Sequence, residues 1–449
     1  MELNHIQEKI ISLLKNDLNT YKKNNINTAS SSFSFIATWG ENIGFQKLKS
    51  KQLNISSKFQ FMKIILKDLF SAIKFPEIKY LENSTIKHQN KIILSTASFE
   101  DFNEEGSYLD RYLKIESKDY LNYIFLILYG NDILPKKIDQ NIIIFSKKEN
   151  FIKGVFVFLV SLIKYFFRNF SLKNFLHHFS DQTNFAKNFS NSIKKKINFG
   201  RIKLILLPFE GIPYQQKILQ EAKKINKEIL TIGYDHSAPH AMPLNMFNRM
   251  GSPDFLIVNG SSQIYNLTKF LNWPQKKLIQ RPSLRYSFDS KEEFKNIIFL
   301  PWKIFNSKKV LEDFELFLEK LPEKSLQYLK VKTHPICVNK KSQDDLKKEI
   351  EKIISKYSNK FTKNLEADLI SIFIGSTTGV IVALEKGLKI LHICFDPIFD
   401  SYSEFFWPNL KVKKLTNNSF IYSLKEKGTF IKFGEGKKTF DNFYNNFDK

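Results

Sequence analysis

The sequence predicts an α/β protein of two Rossmann-like domains whose parallel sheets face one interdomain cleft. Three observations carry that reading. Ile202–Leu207, Gln215–Lys227 and Ile229–Tyr234 run strand, helix, strand and form a βαβ unit. From residue 296 onward, short apolar runs again alternate with amphipathic helices, which implies a second parallel sheet. Small polar motifs also follow several of these strands, at the end where open α/β sheets bind ligands.

Taken in order, Ile6–Leu18 reads as a helix and Asn24–Ser32 as a polar link. Ser34–Thr38 reads as a first strand ending in a Trp39-Gly40-Glu41-Asn42 corner, which suits packing or an acceptor. Phe59–Ile73 is an amphipathic helix. Lys91–Leu94 is a short strand, and Ser95, Thr96 and Ser98 behind it are cap residues. Tyr120–Tyr129 reads as a hydrophobic helix and Asn141–Phe145 as a buried strand. Phe151–Phe179 is apolar and aromatic on one side, with Lys153, Lys164, Arg168 and Lys173 on the other. That pattern suits an interfacial helix on an anionic membrane, or a core helix with a wet basic face. His177 and His178 have no metal-ligand spacing to other His or Cys and are read as surface residues.

After the βαβ unit comes a polar loop, Tyr234–His240. His236 and His240 are four apart, but Pro239 breaks any helix that would present both to zinc. Phe255–Val258 is a strand and Gln263–Leu271 a helix, with Gly260-Ser261-Ser262 at its start. Ile279–Phe288 is the crossover, so the division expected is 1–285 and 286–449. The second half runs as strand Asn296–Leu300, helix Lys308–Leu321, strand Leu329–Lys332, helix Gln343–Tyr357, strand Leu369–Ile374, helix Val380–Glu385 and strand Lys389–Cys394.

Composition bounds the function. The chain has 449 residues, 44 of them Phe, and 43% hydrophobic content, so it can hold two or three cores. Its net charge of +24 favours anionic partners, although a Lys/Asn/Ile-rich usage inflates it. The lysines are dispersed and no nucleic-acid-binding module is evident, so no nucleic acid is expected as a partner. Two cysteines, Cys337 and Cys394, fit buried thiols and a cytosolic setting. The N-terminal segment lacks the pattern of a signal peptide, and no run is long enough to span a bilayer. A cytoplasmic protein, free or peripheral on the inner face of the cytoplasmic membrane, is the expectation.

Three motifs at strand ends carry chemistry: Phe209-Glu210-Gly211, Lys332-Thr333-His334-Pro335 and Gly375-Ser376-Thr377-Thr378-Gly379. Together they describe a nucleotide-sugar site. Glu210 is the catalytic carboxylate, able to take a proton from an acceptor hydroxyl as that oxygen attacks an anomeric carbon. Gly211 lets the chain turn and another molecule approach. Ser376, Thr377 and Thr378 offer hydroxyls and backbone N–H groups to a phosphate. His334 can meet charge on the departing phosphate, with Lys332 adding positive charge. Asp235, His236, Ser237, Gly260 and Ser261 sit at neighbouring strand ends as candidates for the acceptor or the cleft wall. With no Asp-X-Asp triplet, no metal or other cofactor is expected.

The order acid-Gly, His-Pro, Ser/Thr pair resembles the motif set of bacterial sialyltransferases and polysialyltransferases and of the related Kdo-transferases. The stretch Glu210–Ser262 also resembles surface-carbohydrate biosynthesis proteins. The resemblance implies a GT-B fold and metal-independent, inverting transfer of a sialic-acid-like or Kdo-like sugar from a CMP-activated donor to a glycan or glycolipid. By the same resemblance, Glu210 is the base, His334 and Pro335 belong to the CMP site, and Ser376 and Thr377 bind the phosphate or the donor carboxylate. Two other readings stay open. One is a polyol-phosphate transferase using CDP-glycerol or CDP-ribitol, with His236 or His240 as its first-domain histidine. The other is a non-catalytic nucleotide-sugar-binding scaffold.

Overall fold

The computed structural model describes residues 3–24, 26–38, 42–52, 55–82, 89–131, 133–167, 171–286, 294–301, 304, 307–333, 341–363 and 370–434. The first unit contains strands β1 (Pro76–Glu82), β2 (Lys91–Ala97), β3 (Leu109–Asp110), β4 (Ile115–Glu116), β5 (Tyr123–Tyr129), β6 (Ile142–Glu149), β7 (Leu204–Pro208), β8 (Leu230–Tyr234), β9 (Phe255–Val258) and β10 (Leu278–Gln280). Eight of them form one sheet in the order β1-β6-β5-β2-β7-β8-β9-β10. Every pairing is parallel except β1 with β6. Inner strands such as β5 and β7 are apolar along their whole length because both faces are buried, one against helices and the other under Tyr108, Leu113 and Ile115. The minor strands β3 and β4 pair with each other in the segment that covers this second face.

Helices α1 (Leu3–Lys23), α2 (Ile43–Gln52), α3 (Ile55–Ile73), α4 (Phe151–Phe166), α5 (Leu172–His178), α6 (Asp181–Lys196), α7 (Pro213–Ile225) and α8 (Ser261–Lys269) belong to this half. Helix α7 starts on Pro213, whose missing N–H costs nothing at a first turn.

The second unit contains β11 (Ile297–Phe299), β12 (Leu326–Gln327), β13 (Lys330–Lys332), β14 (Phe361–Thr362), β15 (Ile370–Ile374), β16 (Lys389–Ile393), β17 (Leu410–Lys414) and β18 (Ser419–Leu424). Six form a sheet in the order β13-β11-β15-β16-β18-β17, parallel through β16 and antiparallel at the β18-β17 edge. Helices α9 (Ser307–Glu319), α10 (Lys341–Lys356) and α11 (Gly379–Glu385) complete its layers. The expected class, α/β with two Rossmann-like, GT-B-like units on a common cleft, is the observed one.

Several sequence expectations are corrected. Tyr120–Tyr129 is the strand β5, not a helix. A run buried on both faces shows no alternation, so its period could not separate the two. Ser34–Thr38 is a buried, unladdered turn, not a strand; Ser34 Oγ donates to the Thr28 and Ser31 carbonyls instead. Ser95 and Thr96 lie within β2, so among these hydroxyls only Ser98 sits at a helical N-terminus. Phe151–Phe179 is two helices, α4 and α5. His177 is buried, with Nδ1 2.7 Å from Ser31 Oγ and its ring edge-on to Tyr21 and Phe33. Ile279 and Gln280 belong to β10 and pair with β9, so the crossover starts after them. Cys394 is a buried free thiol. Trp39, Gly40, Glu41, Arg168 and Cys337 lie outside the described residues.

Contacts between the units are built in. From α1, Gln7 Nε2 donates to the Ile398 and Ser401 carbonyls of the second half, at 3.0 and 3.1 Å. One hydrophobic core runs from α1 and α7 through to α11 and Trp407. After β18 the chain returns to the first sheet: Ser262 N–H donates to the Thr429 carbonyl and Lys432 N–H to the Asn259 carbonyl, both at 2.8 Å. Glu385, buried at the end of α11, accepts from the amides of Gly428, Phe430 and Ile431 at 2.6, 2.8 and 3.2 Å and pins that return. Replacing Glu385 by Ala should destabilise the protein by about 2–4 kcal/mol, since three buried amides lose a charged acceptor. Chemical denaturation measures the loss, and hydrogen exchange should speed up at residues 428–431 first.

Candidate active site in the interdomain cleft

Parallel strands point their carboxyl ends the same way, and here both sheets aim theirs at one cleft of about 310 Å³. From the first unit it is lined by Phe209 and Glu210 after β7, by Asp235 to His240 after β8 except His236, and by Pro243, Asn245 and Met246 beyond. The second unit supplies Phe299 to Pro301 at the end of β11, and Ile374 with Ser376, Thr377 and Thr378 after β15. Of the candidates from sequence, Glu210, Asp235, Ser237, Ser376, Thr377 and Thr378 therefore share one cavity.

Glu210 is held by its backbone. Its N–H donates to Gln215 Oε1 at 2.9 Å, and its carbonyl accepts from Asn245 Nδ2 at 2.7 Å. Gln215, on the first turn of α7, also donates to the Pro208 carbonyl at 2.6 Å. Gly211 then turns with φ +66°, and a Cβ there would lie 2.2 Å from the Asn245 carbonyl oxygen. The buried Arg249 donates to the Gly211 carbonyl at 3.0 Å. Gly211 thus serves the turn that aims Glu210, and it does not itself line the cleft. The Glu210 side chain stays 39% exposed.

The electrostatics set two carboxylates apart from ordinary surface acids. Burial among the strand ends raises the Glu210 carboxyl above its usual range, and the charge of Arg285 opposes that rise. Burial also pushes Asp235 up to about 7, with the neighbouring Glu210 charge adding and the hydrogen bonds to the Ser237 amide and Gln263 opposing. Gln263 Nε2 donates to Asp235 Oδ2 at 3.0 Å. His236 is buried, with Nε2 3.5 Å from Glu210 Oε1 and its ring on Tyr112, centroids 4.2 Å apart. Burial and the Arg285 charge hold it down to about 3, so it is a neutral imidazole at pH 7. His240 lines the cleft, is held down to about 4 by burial, and has a buried Nδ1 with no hydrogen-bond partner among the described residues.

On the opposite wall, Gly375 turns with φ +69° against the Phe395 ring and lets the chain leave β15 sharply. Thr377 Oγ1 caps the Gly379 amide at 3.2 Å, which leaves Ser376 and Thr378 to face a ligand. Lys332 ends β13, beside β11, where its carbonyl accepts from the Leu300 amide at 2.9 Å. This puts its strand end at the same sheet edge as the cleft, although Lys332 is not among the cleft residues. His334 and Pro335 lie outside the described residues. Gly260 is closed over by the returning segment: a Cβ on it would meet the Thr429 and Phe430 carbonyls at 2.3 Å. Ser261 is exposed on α8, away from the cavity. Among the described residues no three His, Cys, Asp or Glu side chains gather in a metal-binding group.

Sequence reasoning missed Arg285, Tyr112, Asn245 and Arg249. Arg285 stood in a segment read only as a crossover. Asn245 and Arg249 support the Glu210 turn from a loop with no pattern of its own.

No protein-family model matches the chain, and no curated protein matches it. Among solved structures it is similar to a glycosyltransferase from Rickettsia africae ESF-5, at 13% identity and a TM-score of 0.32, covering 68% of this chain and 79% of that one. It is also similar to the N-terminal domain of Candida albicans trehalose-6-phosphate phosphatase, at 12% identity and a TM-score of 0.34, covering 69% and 83%. The functional reading therefore rests on the cleft itself.

The carboxyl of Asp235 gives a stability test with a definite sign. Its folded pKa lies above the unfolded value near 3.8, so the native state holds the proton more tightly and loses stability as pH rises from about 4 to 7. Asp235→Asn should remove that loss. The variant should gain about 1–3 kcal/mol over wild type at pH 8 and almost nothing at pH 4, measured by denaturant unfolding at both.

Proposed function

We propose that this chain is an inverting glycosyltransferase that moves a sialic-acid-like or Kdo-like sugar from a CMP-activated donor to a cell-surface glycan or glycolipid. One observation carries the reading: a strand-end carboxylate, Glu210, shares one cavity with the Ser376-Thr377-Thr378 turn of the other unit. In this reading Glu210 removes the proton of an acceptor hydroxyl. The freed oxygen bonds to the anomeric carbon, and the bond from that carbon to the phosphate oxygen breaks with its electron pair leaving on CMP. Ser376 and Thr378 hydrogen-bond the departing phosphate, with Lys332 and His334 assigned to its negative charge.

The raised carboxyls suit this role. A carboxylate whose pKa is raised by burial holds a proton more strongly than an ordinary surface acid, which favours its acting as a general base. The neutral His236 against Glu210 leaves the acid–base step to the carboxylates. The Glu210 charge adds to the rise that burial imposes on Asp235.

A second reading, polyol-phosphate transfer from CDP-glycerol or CDP-ribitol, draws support from His240, a neutral imidazole that lines the cleft. Product analysis separates the two: only the second leaves phosphate on the acceptor.

Glu210→Ala should lower turnover at least ~100-fold with nucleotide affinity near wild type. Wild-type turnover in that variant would remove Glu210 from the mechanism. A thermal-shift screen of CMP, CDP, UDP and GDP tests the donor. CMP at about 100 times its dissociation constant should stabilise by ~2.7 kcal/mol, with the purine nucleotide doing less. CMP binding with no turnover, and indifference to Glu210→Gln, would mark a scaffold instead.

A further inference from the structure

Helix α4 is apolar on two sides. Its inner side sets Phe158, Leu162 and Tyr165 against Ala72, Phe175 and Phe179. On the outer side, Ile152, Phe156, Leu159, Ile163 and Phe166 are 84, 67, 51, 59 and 72% exposed. Steps of four, three, four and three keep these five on one stripe of the helix. The adjoining α3 repeats the arrangement, with Phe59, Leu66 and Phe70 at 75, 54 and 70% exposure. The two helices touch: a Cβ added at Gly154 would lie 1.5 Å from the Ile73 carbonyl oxygen. So large an apolar face on neighbouring helices is rare on a surface that only meets water.

The exposed charges on the two helices have one sign. Lys153 and Lys164 border the stripe on α4, which contains no acid. Exposed Lys63 and Lys67 border the one on α3, whose lone acid, Asp68, has a carboxylate oxygen buried away from solvent. Among the described residues, only Lys153 of these four is answered, by Glu77 of β1 at 3.1 Å. With 16 residues, α4 is about 24 Å long, shorter than the roughly 30 Å hydrocarbon layer. No helix among the described residues is long and apolar enough to cross a membrane. The geometry matches a helix lying in the headgroup plane, its apolar stripe down and its lysines reaching phosphates at the rim. A second copy is a poor occupant: a two-fold contact through this face would oppose lysine rims, and neither helix offers an exposed acid to answer them.

We propose that α3 and α4 together form a docking surface for a bilayer rich in anionic phospholipid. The inference stands on this face alone and does not depend on the nucleotide reading. The test uses the full chain in flotation with phosphatidylglycerol–phosphatidylcholine vesicles, against vesicles of phosphatidylcholine alone. Wild type should float with the anionic vesicles and release as salt rises. Phe156→Ser with Ile163→Ser should cut binding at least ~10-fold while thermal unfolding stays near wild type, because both side chains are outside the core. Lys153→Gln with Lys164→Gln, which leaves the apolar stripe intact, should weaken binding to anionic vesicles selectively. Three results would overturn the proposal: wild type that does not float, serine or glutamine variants that float as well as wild type, or a wild-type dimer that the serine variant splits with no vesicle binding.

Discussion

Everything in the cleft depends on the second unit gripping the loop that follows β8. That loop carries Asp235, His236 and His240, and alone it would be an unladdered run on the surface of the first sheet. Two buried aromatic side chains hold it. Trp407 Nε1–H donates to the Ala241 carbonyl at 2.8 Å, and the Tyr402 hydroxyl to the Pro239 carbonyl at 2.9 Å. Tyr402 also reaches the Thr377 carbonyl at 3.4 Å, so one ring touches both walls. Each bond is worth about 1 kcal/mol, yet losing a buried partner costs more, because an orphaned carbonyl has no water to turn to. The return segment pinned by Glu385 closes the same joint from the other side.

A joint built this way sets the character of the site. The walls share one hydrophobic core, so the strand ends are held close without a ligand between them. Burial around that joint is also what raises the two acids and keeps both histidines neutral. Position and proton affinity thus come from a single cause: strand ends packed into a protein interior, with one side open to water.

Much of this was legible in the sequence where a local pattern decides the outcome. The Pro208-Phe209-Glu210-Gly211 corner and the Gly375 turn were readable because an aliphatic run, a turn residue and a helix start follow in order. The alternation of the second half placed β11, β13, β15 and β16 within a residue or two, but not the antiparallel β17 and β18, which no helix separates. What failed was set by partners far along the chain. Tyr123–Tyr129 is a strand because β2 and β6 flank it, and seven apolar residues in a row carry no period. His177 is buried by Tyr21 and Phe33, which lie more than 140 residues away. Arg285 faces Glu210 only because β10 ends beside β9. Asp235 had no visible reason, from its own neighbours, to bind a proton so tightly.

The central claim is spatial: a cytidylate binds between the Ser376-Thr377-Thr378 turn and the Glu210 carboxylate, in the cleft that Tyr402 and Trp407 hold shut. A crystal structure of the chain soaked with CMP tests it most directly. The account predicts the phosphate within hydrogen-bonding distance of Ser376 or Thr378, with Glu210 facing it across open space sized for a sugar. Nucleotide density outside this cleft, or a Glu210 carboxylate turned away from the phosphate, would contradict it.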